Sequence, residues 1–85
     1  MSRTITSAER IRKARAFIQK ARDLPLPEDG GKYNFSYIAQ VKAFLQDARD
    51  LVKFIPKTPS ATAEIKEQVS LIFQEADQAN QEILH

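Results

Sequence analysis

Residues able to do chemistry are few in this chain, and their placement narrows them further. The single histidine is His85, the last residue, and there is no cysteine. Neither a Ser–His nor a Cys–His nucleophile pair can be assembled, nor a histidine or thiolate metal set. Glu64 and Glu67 sit at i, i+3, where they could in principle share a metal. A di-iron centre needs Glu-x-x-His on two helices, however, and that motif does not occur. Gly30 and Gly31 fall short of a Gly-x-x-x-x-Gly-Lys phosphate cradle. The expectation is a protein that is not an enzyme and carries no cofactor or metal.

What remains is a set of cations. Arg15, Arg22, Lys42 and Arg49 have no acidic residue at i±3 or i±4, so no bridge along their own helix neutralises them. By contrast, Lys13 has Glu9, Lys20 has Asp23 and Lys53 has Asp50 within that reach. Four unpaired cations on one face would attract an anionic partner, whether an acidic protein surface, a phosphate backbone or a lipid headgroup. The competing reading is that their stems pack over the core rim while their heads stay in water.

The elements that position these residues come from a repeat. Ala16–Leu24 returns at 43–51, seven of nine residues being identical, and a fainter copy follows at 72–77. One amphipathic helix written three times cannot bury its apolar face alone, so the copies must pack together. The first helix is predicted over 7–24, with Thr6 as cap and Pro25 as stop. Its apolar stripe is Ile11, Ala14, Ile18 and Ala21, with Phe17 and Leu24 alongside. A second, over 35–55, carries Ile38, Val41, Leu45, Ala48, Val52 and Ile55 at heptad a and d, with Tyr37, Phe44 and Leu51 at g. The third is predicted over 59–84, capped by Thr58 with Pro59 at its first position, Ser60 or Thr62 being alternative caps. Its stripe is Ile65, Val69, Ile72, Ala76, Ala79 and Ile83. Nothing alternates with period two, so no strand is expected.

These features predict an all-α fold, a single domain over 1–85: an antiparallel up-down-up three-helix bundle. The alternative is a helical hairpin that completes its core by dimerising. In an antiparallel pair the two g rims adjoin, as do the two e rims. The apolar g residues Phe17, Leu24, Phe44 and Leu51 are therefore expected beneath helix 3, leaving the e cations Arg15, Arg22, Lys42 and Arg49 open on the far side. If acids of helix 3 pair with these cations instead, helix 3 lies on the e side and the bundle has the opposite hand. Leu26, Tyr33 and Phe35 are expected to cap the core end or to form a docking knob, and Phe54 to extend the core or to contact another copy.

In outline, three antiparallel helices in a chain of this length resemble the microtubule-interacting and trafficking domains and tetratricopeptide repeats. The signature of the second tetratricopeptide helix fits nowhere in the chain. The resemblance is one of shape, and it implies neither a function nor site residues.

The formal charge is only +2, but residues 1–24 balance at +5 and residues 60–85 at −4. Such polarity marks either a partner-binding surface or attraction between the first and third helices. No apolar run approaches the ~20 residues of a membrane helix. The N-terminus has no apolar signal region, so a cytoplasmic location is expected. The function expected is a small non-catalytic interaction module, an adaptor or regulatory protein, whose partner is a protein with an acidic surface. Homodimerisation is possible. The alternative is nucleic-acid binding through the basic face of helices 1 and 2, against which stand the small net charge and the acidic third helix. Membrane-surface attachment by helix 1 would need apolar residues that the core already uses.

Overall fold

The computed structural model of the protein describes residues 6–85. It contains three α-helices, α1 (Ser7–Asp23), α2 (Phe35–Val52) and α3 (Ala63–Leu84). Each of them packs on the other two, giving the expected three-helix bundle.

Local chemistry sets the ends of each helix. The Thr6 hydroxyl accepts from the Glu9 amide at 3.1 Å, satisfying one of the orphan donors at the start of α1. At the other end Leu24 turns extended, at ψ 126°, because Pro25 crowds a helical residue before it. The connector reverses through Gly30 and Gly31, both at positive φ, and a short 3-10 turn over Gly31–Tyr33. Asn34 then holds the corner from both sides. Its side chain accepts from the Tyr37 amide at 3.1 Å and donates to the Asp29 carbonyl at 2.8 Å.

Two predicted boundaries are corrected at the second connection. α2 ends at Val52 rather than at 55, because a proline at 56 cannot donate back to the Val52 carbonyl and its ring would crowd that group. The chain tightens instead into a 3-10 turn over Ile55–Lys57, and the Thr58 hydroxyl donates to the Ile55 carbonyl at 2.7 Å. α3 then begins at Ala63, not at 59. Its cap is Thr62, which accepts from the Ile65 amide at 3.1 Å.

The core is built by the expected stripes, except at the start of α2, where Tyr37 is buried and the expected Ile38 is only half-buried. Ile11, Ala14, Ile18 and Ala21 of α1 meet Val41, Leu45, Ala48 and Val52 of α2 and Val69, Ile72, Ala76 and Ala79 of α3. Tyr37 and Ile55 close this cluster, and no polar side chain among the described residues is buried in it. Ala14, Ala21, Ala48, Ala76 and Ala79 are wholly inaccessible to solvent.

Candidate functional site

The hand of the bundle is the reverse of the one expected, and ion pairs mark it. Arg15 on α1 reaches Glu75 of α3 at 3.3 Å and also donates to Gln68 at 2.8 Å. One heptad on, Arg22 pairs with Glu82. From α2, Arg49 pairs with Asp77 at 2.8 Å. α3 therefore lies on the e side of the α1–α2 pair, flanked by its cations, and not over the apolar g residues. One physical contribution lies in the charge polarity of the chain. α3 has acids on both borders of its apolar stripe; the e rims offer it Arg15, Arg22 and Arg49, whereas the g rims carry a single guanidinium, Arg10, which donates to the Leu51 carbonyl.

The four cations do not form one open surface. Arg15, Arg22 and Arg49 are spent on α3, and Lys42 alone stays exposed without a partner among the described residues. The acids respond in turn. The Arg22 guanidinium, with help from the Gln78 amide, holds the Glu82 carboxyl below its ordinary value. On α2, hydrogen bonds from Gln46 and Lys53 lower the Asp50 carboxyl in the same way.

Placing α3 on the e side leaves Phe17, Leu24, Phe44 and Leu51 on the opposite face, half-buried and packed against the core edge. Phe17 stacks on Phe44 with ring centroids 6.2 Å apart, and the Lys20 ammonium sits 5.2 Å from the Phe17 ring. A shallow groove of about 330 Å³ runs beside them, lined by Arg10, Phe17, Asp47, Asp50 and Leu51. Arg10 is fixed there by donating to the Leu51 carbonyl at 3.4 Å. No residue of α3 lines this groove.

Charges border the strip unequally. On the α1 edge lie Lys13 and Lys20; their repeat equivalents on α2 are Gln40 and Asp47. Apart from the conservative Ile18/Leu45 exchange, Lys20/Asp47 is the only difference between the two nine-residue copies. The repeat thus keeps its apolar residues on this face while reversing a charge beside them.

Apart from Leu71 on α3, the large exposed apolar groups among the described residues lie at the ends of the bundle. Leu26, Tyr33 and Phe35 project at one end, Phe35 with 89% of its surface accessible, so they do not cap the core. Phe54 is exposed at the other end, with the Lys53 and Lys57 ammonium groups 5.1 and 5.7 Å from its ring. Among the described residues no cluster of three acids or histidines could hold a metal ion. None of their helices is long and apolar enough to cross a membrane. No protein-family model matches the chain, and neither a curated protein nor a solved structure is significantly similar to it.

Proposed function

We propose that the protein is a small helical interaction module, an adaptor or regulatory protein of the cytoplasm, which works by contact and not by catalysis. The observation that carries this reading is the Phe17, Leu24, Phe44, Leu51 strip. It is an apolar heptad face that the third helix of the bundle does not cover. A bundle helix needs an apolar stripe wide enough for its neighbours. Here α1 and α2 have residues beyond that width, on the side that α3 does not occupy. The partner surface that suits such a strip is itself apolar at its centre and charged at its edges.

A photo-crosslinking residue at Gln40, beside the strip, would be compared in extract of the native cell with one at Glu67, on α3. Adducts of higher mass from position 40 and few from position 67 are the expected result. Absence of adducts from both positions, or equal yields, would overturn the proposal.

A further inference from the structure

The distribution of charge along the uncovered strip suggests its occupant. We infer that a second copy of this chain docks there, face to face, with the twofold axis parallel to the helices. The inference rests on the interaction-module reading and commits it to one partner.

Two face-to-face arrangements preserve a twofold axis. If the axis is perpendicular to the helices within the interface, α1 meets α1 of the second copy, and the Lys13–Lys20 edge is set against itself. If the axis runs along the helices, α1 meets α2 of the second copy, and the basic edge falls on the edge bearing Asp47. Like charges in register oppose the first arrangement, and the second brings opposite charges together. The register can be read from contacts within one chain. Arg10 bonds to the Leu51 carbonyl and Phe17 stacks on Phe44, which places Lys13 level with residues 47 and 48. With the axis along the helices, Lys13 of each copy faces Asp47 of the other. Both side chains are exposed, and neither has a partner within its own chain among the described residues. The contact would form two equivalent ion pairs without breaking any.

Size sets the expected strength. The face is about 25 Å long, from the length of α1, and about 20 Å wide across two helices. Two such faces bury on the order of 1,000 Å² together, the range of weak and transient association. The dimer should therefore depend on concentration and not be obligate.

Sedimentation equilibrium of the purified full chain, from about 10 µM to about 1 mM, tests this directly, and a dimer is expected within that range. Lys13→Glu and Asp47→Lys should each keep the helical dichroism of the parent. Each variant alone places like charges in both contacts, and each should weaken dimerisation on the order of tenfold. Mixed in equal amounts, the two variants should recover a dimer of near-parental strength, because every contact in the mixed pair again joins opposite charges. A parent that stays monomeric throughout the range overturns the inference. So does a dimer indifferent to both substitutions, or one that mixing fails to restore. A monomeric parent that still forms heavier adducts at position 40 in extract would refute self-association alone and leave the interaction-module reading standing.

Discussion

Glu82 accepts from Arg22 and from Gln78, and the fold lowers its carboxyl below the ordinary carboxylate range. Asp50 is lowered likewise by Gln46 and Lys53. A carboxyl with a lower value in the folded state binds fewer protons there than in the unfolded chain. Its stabilising contribution is complete above the ordinary carboxylate value and is lost as pH falls through the lowered one. Thermal melts from neutral to strongly acidic pH should therefore show a falling midpoint, and Glu82→Gln should flatten that fall while lowering the midpoint at neutral pH. An identical acid response in parent and variant would show that the Arg22 pair does not form. At Ala48, wholly buried between the helices, Ala48→Asp would strand a charge and should cost roughly 3–5 kcal/mol. A 85-residue domain has only about 4–13 kcal/mol in total. Urea denaturation should place the variant at or near global unfolding; a midpoint equal to the parent's would refute this packing.

At the scale of the elements, the caps and the two connections add small, separable contributions to the stability that the core supplies. Thr62→Ala removes the acceptor for the Ile65 amide at the start of α3 and should cost about 1 kcal/mol in chemical denaturation. Ser60→Ala should be nearly silent, which separates Thr62 from the other caps that the sequence permits. Gly30 has φ +87°, and a Cβ there would meet the Asn34 backbone and Cβ at 3.4 Å. Gly30→Ala should therefore destabilise by about 1–2 kcal/mol through left-handed backbone strain. The start of α1 and most of the three apolar stripes were legible in the sequence, because capping and helical periodicity act within a few residues; at the start of α2 the core takes Tyr37 and not the expected Ile38. The ends of the second connection were less so. Pro59 permits a helix start, but Pro56 ends α2 early, and the chain passes through a 3-10 turn over Ile55–Lys57, with Ile55 buried, before α3 begins.

For the molecule as a whole, the decisive feature is the side on which α3 lies. The chain has no cysteine, so paired cysteines can be introduced on a clean background. Arg22→Cys with Glu82→Cys should be joined efficiently by a short bis-maleimide. Lys20→Cys with Glu82→Cys should not, because Lys20 lies on the strip side of α1. Efficient linkage of the second pair alone would restore the opposite hand. With α3 on the e side, three guanidinium groups become internal fasteners, and the apolar surface available to a partner moves to the other face.

Composition, periodicity and the internal repeat by themselves determined that this protein is all-α and which residues form its core stripes. Those properties depend on neighbours three or four positions away. The same local reading showed that Arg15, Arg22 and Arg49 lack partners on their own helices, and this is true of them. It could not show that Glu75, Glu82 and Asp77 would fill that need, because each of those pairs spans 28 or 60 positions of sequence. Only the tertiary structure decided the hand of the bundle. A three-helix bundle of either hand buries the same apolar stripes, so the hydrophobic effect barely separates them. The difference rests on charge along the borders of α3 and on the packing of the connection that delivers it.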